Sequence, residues 1–154
     1  MESFGHPIRD KGHCDGWINF NVVMPSLAFS GDGEVLRWRW FAHNDAGVKF
    51  VVYRRVPENE CAFTVVGSNE VATTHGAGEQ EIPATDRIYV QTGDCIGFRL
   101  KHPAAIPFCG DSGAEVMWGE KPGHKEPGAG EQLAFLGRGR HDYAVSVDWT
   151  PTAS

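Results

Sequence analysis

Five side chains in one short stretch of chain have the residue types and spacing for ligand chemistry. In Leu36-Arg37-Trp38-Arg39-Trp40-Phe41-Ala42 the even positions are apolar, and Arg37 and Arg39 fall on the opposite face of an extended chain. The following segment adds Lys49, Tyr53 and Arg55 at the same period of two. Planar guanidinium groups beside a phenol ring suit carboxylate or sulfate groups through paired N–H donors, and sugar rings through stacking. Arg37, Arg39, Lys49, Tyr53 and Arg55 therefore form the expected ligand face, with a glycan or an acidic protein ligand as partner. Trp118 joins them because a long polar stretch follows it, which makes it the tryptophan best placed to stay exposed; Trp17 and Trp149 are expected to pack at strand edges. The competing reading is that the charges are solvated strand positions paired with nearby Asp and Glu.

Catalytic patterns are weaker. Cys109-Gly110-Asp111-Ser112-Gly113 contains the Gly-Asp-Ser-Gly found around the nucleophile of chymotrypsin-like proteases. That mechanism needs a His base and a buried Asp brought together by two barrels, and 154 residues without an Ala-Ala-His-Cys-like segment do not supply them. The seven histidines include no His-x-His pair, which argues against a cupin metal site, and neither His-Glu-x-x-His nor a phosphate-cradling Gly loop occurs. No enzyme and no cofactor are expected. Calcium is the one metal considered, because Asp32, Glu34, Asn44, Asp45, Asp94 and Asp111 sit in turns where hard oxygen ligands converge. No EF-hand spacing is present, and turn formation accounts for the same residues.

To hold a face at period two, the chain must be built of strands. Alternating or β-branched runs recur at 17–24, 35–42, 48–56, 62–67, 80–83, 87–91, 95–100, 106–109, 114–118, 132–136 and 143–149, with no apolar run at helical spacing. Turn residues separate them at 30–33, 44–47, 92–94 and 137–139. Many strands without helices to cover a parallel sheet imply an all-β fold, an antiparallel two-sheet β-sandwich of jelly-roll type. The chain reads as one domain spanning 1–154, with loosely held ends at 1–12 and 151–154 and a long exposed loop at 121–132.

Two hairpins carry specific expectations. A three-residue loop Asp45-Ala46-Gly47, with Gly47 left-handed, sets Asn44 opposite Val48. This register places Trp40 against Val52 and Ala42 against Phe50 inside, and Arg39 against Tyr53 and Arg37 against Arg55 outside. A second hairpin centred on His102 sets Cys95 opposite Cys109, where a cross-strand disulfide is geometrically feasible. The pairing 95–109 with 14–61 ranks first of the three that four cysteines allow, and free buried thiols are the alternative.

Composition narrows the partners. A net charge of −6 disfavours nucleic acid and anionic membrane, which attract basic fields. No apolar run is long enough to cross a bilayer, and the first residues lack the apolar stretch of a signal peptide, so the chain reads as a mature or excised module or an intracellular protein.

The succession 33–42, 48–54, 63–67 and 88–98, ending in Val90-Gln91-Thr92-Gly93-Asp94-Cys95-Ile96-Gly97, resembles β-sandwich modules found in extracellular multidomain proteins of marine invertebrates. The resemblance implies recognition or adhesion outside the cell and transfers no catalytic residue. The resulting expectation is a noncatalytic extracellular module binding a glycan or an acidic ligand. The alternative is a structural subunit, self-associating or joined to a neighbour through sheet edges and exposed aromatics.

Overall fold

The computed structural model describes residues 1–10, 20–100, 106, 108–109, 113–119, 126 and 128–152. Its strands are β1 (Glu2–Gly5), β2 (Phe20–Ala28), β3 (Gly33–Ala42), β4 (Val48–Val56), β5 (Asn59–Val71), β6 (Gly76–Glu81) and β7 (Tyr89–Val90), then β8 (Cys95–Leu100), β9 (Phe108–Cys109), β10 (Glu115–Trp118), β11 (Gln132–Ala134), β12 (Gly137–Arg140), β13 (Asp142–Tyr143) and β14 (Val145–Pro151). One sheet runs β1-β14-β3-β6 with β7 beside β3, the other runs β11-β5-β4-β8-β2-β10-β12, and β9 and β13 make a two-stranded ribbon. All described pairings are antiparallel. The chain passes back and forth between the two large sheets, with β1, β3, β6, β7 and β14 in the first and β2, β4, β5 and β8 in the second. That interleaving is the jelly-roll arrangement the strand pattern predicts.

Period-two burial holds where it was expected. Trp38 and Trp40 point between the sheets and are buried. Trp38 stacks on Phe50 of the facing sheet at 4.8 Å and 12°, an aromatic pair worth about 1 kcal/mol beyond the area it buries. Its indole Nε1 donates to Asn69 Oδ1 at 3.0 Å, and Asn69 Nδ2 donates to the Asp86 carbonyl at 2.9 Å. The Trp38 indole and the Asn69 amide are thereby satisfied. Trp149 packs edge-on to Phe29 in the same core.

The expected register between β3 and β4 is not found, because the two strands are not partners: β3 pairs with β14, β6 and β7, while β4 pairs with β5 and β8. Gly47 is left-handed as expected, at φ 82°, and Asn44 Oδ1 accepts from Ala46 N at 3.0 Å. The turn nevertheless arches across the core instead of closing a hairpin. An arch lets the apolar faces of both strands meet each other, Trp38 on Phe50, whereas a hairpin would leave both facing a third layer.

The hairpin of β8 with β9 is likewise replaced. β8 lies between β2 and β4 with both edges used, and β9 pairs with β13. Cys95 and Cys61 are free thiols, so neither the 95–109 nor the 14–61 bridge forms; Cys14 lies outside the described residues. Strand β1, within the end read as loose, pairs along its length with β14. Pro151 pairs with Gly33. Residues 137–139, read as a turn, belong to β12. Half of the 121–132 loop, 121–125 and 127, falls outside the described residues, and Gln132 begins β11.

The seven-stranded sheet is rolled. Its edge strands β11 and β12 are joined through Phe135 and Leu136 alone. Three extended steps span at most about 11 Å, whereas seven flat strands would separate their outer members by about 29 Å. The edges must therefore approach, and they do: Phe135 N donates to the Cys61 carbonyl at 2.6 Å, and Arg138 Nη2 reaches Cys61 Sγ at 3.5 Å, tying β12 to β5. Bulges in the β2–β8 and β4–β5 pairings supply bending. The face turned away from the tryptophans thus encloses a second apolar cluster that includes Val51, Tyr53, Phe63, Met117, Leu133 and Phe135.

Cys95 faces this interior, where burial pushes its thiol from 9.0 up to about 12; burial raises Tyr53 as well. A thiol that holds its proton more tightly folded than unfolded contributes stability fully present below the unfolded value. That stability declines as pH rises from about 9 toward 12, at roughly 1 kcal/mol per unit. Alkylation at pH 8 in native buffer is expected to label Cys61 and spare Cys95 until denaturant is added. Equal rapid labelling of both would show the rolled interior to be open.

Candidate functional site

The rolled sheet has a mouth. The β4–β5 turn, β10 and β12 together border a groove of about 660 Å³, within the range of small-ligand sites. Its floor is Ala62, Phe63 and Met117, and its lips carry Arg55, Glu58, Glu60, Glu115 and Arg138, with Pro25 and Pro57 at the rim.

Each lip residue is positioned by backbone pairing. Met117 on β10 stands opposite Arg138 on β12, and Glu115 opposite Arg140. Arg55 Nη2 donates to the Pro25 carbonyl at 2.7 Å while its guanidinium carbon lies 6.0 Å from the Phe63 ring centroid. The arginine is thus held over the apolar floor, an arrangement that leaves a ligand its remaining N–H donors. Pro57 and Glu58 form the two-residue turn between the strands, and Glu58 is left-handed at φ 66°, a position glycine ordinarily takes in such turns. A carboxylate is kept on the lip despite local backbone strain, and strain of this kind concentrates at functional positions.

Of the residues anticipated from the sequence, only Arg55 joins this groove. Arg37 and Arg39 lie on the outer face of the first sheet, on the far side of the sandwich from β4. Both are committed to the buried Asp148: Arg39 donates from Nε and Nη2 to Oδ2 at 3.0 and 2.9 Å, and Arg37 Nη1 stands at 3.6 Å from the same oxygen. Arg37 also pairs with Glu79 at 3.3 Å, and Ser3 Oγ donates to Asp148 Oδ1 at 2.6 Å. The hydrogen bonds to Asp148 raise the Arg39 pKa further. These arginines fasten β1, β3 and β14 together, which corrects the single basic face. Tyr53 is wholly buried in the rolled interior instead of exposed. Lys49 lies on the same inward face and pairs with Glu126. Trp118 is half-buried, stacked on His141 at 6.0 Å and 18°.

Of the turn residues considered for calcium, Asp32, Glu34, Asn44 and Asp94 are engaged locally. Asp94 forks onto Arg54 at 2.9 Å through both oxygens and also accepts from Gln91 N at 2.8 Å. Asp32 accepts from Thr92 N, Glu34 pairs with Arg87, and Asn44 caps its own turn. Asp111 is outside the described residues, among which no group of three metal-ligating side chains converges.

Arg138 was missed because Gly137-Arg138-Gly139 has the composition of a turn. The glycines serve a different end: a Cβ at either position would collide with the Trp118 indole. Alternating Gly and Arg opposite a tryptophan-ended strand is the signal that the sequence carried for β12. Comparison with family models, with curated proteins and with solved structures finds no match for the chain.

Proposed function

We propose that the protein is a noncatalytic recognition module whose ligand site is the mouth of the rolled sheet, and that the ligand is a glycan. The observation that carries this reading is the groove itself, an apolar floor bordered by two guanidinium and three carboxylate side chains. Lips of both signs offer donors and acceptors side by side, as sugar hydroxyls require, and Arg55 over Phe63 adds its remaining N–H donors. A purely acidic ligand would meet Glu58, Glu60 and Glu115, so the geometry favours a neutral polyol over an acidic partner here.

The subunit alternative has less behind it. Of the two edge strands of the first sheet, β1 and β6, the latter carries Glu79 and Glu81, and charge on an edge strand works against strand addition. Free Cys61 and Cys95 also remove the disulfide argument for an extracellular location.

A glycan array probed with the whole protein tests the proposal. Hits are expected whose affinity falls about tenfold in Arg138→Ala, the loss of one or two charge-assisted hydrogen bonds. Arg37→Ala should bind as wild type does. An empty array, or hits indifferent to Arg138→Ala, removes the reading.

A further inference from the structure

We propose that the end of the rolled sheet remote from the groove is a second binding site, which takes a small oxyanion group between Lys49, Arg99, Asn21 and the hydroxyl of Tyr53. It goes beyond the glycan reading, and none of these four residues lines the groove.

The register puts the cations together. Asn21 on β2 stands opposite Arg99 on β8, and Arg99 opposite Lys49 on β4. Like charges directly opposed across strands repel, and Arg99 is 7 % exposed, so water does little to screen it. Burial lowers its pKa, the response of a cation taken out of water. Asn21 Oδ1 accepts from Arg99 Nη1 at 3.1 Å, which orients the guanidinium. The neighbouring carboxylates are Glu70, opposite Lys49 on β5, and Glu126, whose Oε1 accepts from Lys49 Nζ at 2.5 Å. Glu126 shows that an oxyanion fits against Lys49, and its side chain is 57 % exposed, so the position is reached from water.

The independent observation is Tyr53. Its hydroxyl is buried and, among the described residues, has no hydrogen-bond partner, an unfavourable condition if it stays dry. The ring lies across Gly97, where an added Cβ would sit 2.8 Å from Cε2. Tyr53 pairs with Cys95, and Gly97 separates that row from the row of Arg99. The ring therefore runs along the sheet and carries its hydroxyl toward Arg99 and Lys49. A donor aimed at two cations is matched by one kind of guest, an acceptor bearing negative charge.

Titration of the whole isotope-labelled protein with sodium acetate, sulfate or phosphate, at ionic strength matched by chloride, reads the site through the amide resonances of Lys49, Gly97 and Arg99. Saturable shifts are expected at millimolar anion. Glu126→Gln, which removes the competing carboxylate charge, should tighten binding about tenfold. Tyr53→Phe should weaken it three- to tenfold while leaving the thermal midpoint unchanged or higher, because the hydroxyl has no partner among the described residues to lose. Preference for acetate identifies a carboxylate ligand, and preference for sulfate or phosphate a tetrahedral one. Shifts that fail to saturate in both wild type and Glu126→Gln, or affinity equal in Tyr53→Phe and wild type, overturn the proposal.

Discussion

Gly97→Ala is expected to destabilise the fold by about 3 kcal/mol, read as a lowered denaturant midpoint with little change in slope. The methyl group would collide with the carbonyl oxygen of Val22 and press on the Tyr53 ring and on Val23 Cα. A flexible side-chain tip could yield, but a carbonyl of β2 cannot without breaking the ladder to β8, in which Val23 and Gly97 are opposed. Gly93→Ala is the instructive comparison. Gly93 has φ 91° and open space where a Cβ would stand, so only backbone strain of about 1–2 kcal/mol is incurred. Two glycines four residues apart thus carry different constraints, one steric and one conformational. A Gly97→Ala protein as stable as wild type would mean that Tyr53 does not lie over the strand.

Phe135→Ala should cost about 3–5 kcal/mol and spend most of it on one part of the molecule. Phe135 is fully buried, edge-on to Tyr53 at 5.3 Å and to Phe63 at 5.5 Å. It also sits in the two-residue link between the edge strands, with its N–H on the Cys61 carbonyl. Removing the ring takes the keystone from the second core while leaving the tryptophan core intact, since that core lies on the other face of the sheet. Hydrogen exchange should therefore accelerate in β11 and β12 far more than in β3 and β14. Glycan binding should weaken with it, because Phe63 and Arg138 would lose their fixed separation. Uniform acceleration throughout the chain would show that the rolled sheet is not a separable unit.

The residues that define the sharpest sequence motif turn out to be structural. In Gly93-Asp94-Cys95-Ile96-Gly97, Gly93 supplies a left-handed turn, Asp94 closes that turn and clamps Arg54, and Gly97 admits Tyr53. Their spacing reads as a signature because three separate demands of one turn and one central strand fall within five residues. The site residues, by contrast, left little trace. Glu58, Glu60, Glu115 and Arg138 are ordinary polar residues in β4–β5, β10 and β12, remote in sequence and joined only where the sheet rolls.

By itself the sequence determined which side of each strand is apolar, and so the all-β sandwich with Trp38 and Trp40 inside, because alternation is a local property carried by neighbouring side chains. Only the tertiary structure decided which strands are partners, since an arch and a hairpin bury the same residues and differ only in what lies opposite. It alone placed Arg37 and Arg39 on one outer face and Lys49, Tyr53 and Arg55 within or beside the rolled sheet. That separation follows from closure: once Phe135 and Leu136 bridge the edges of seven strands, a face that alternation marks as outer becomes an interior with a mouth.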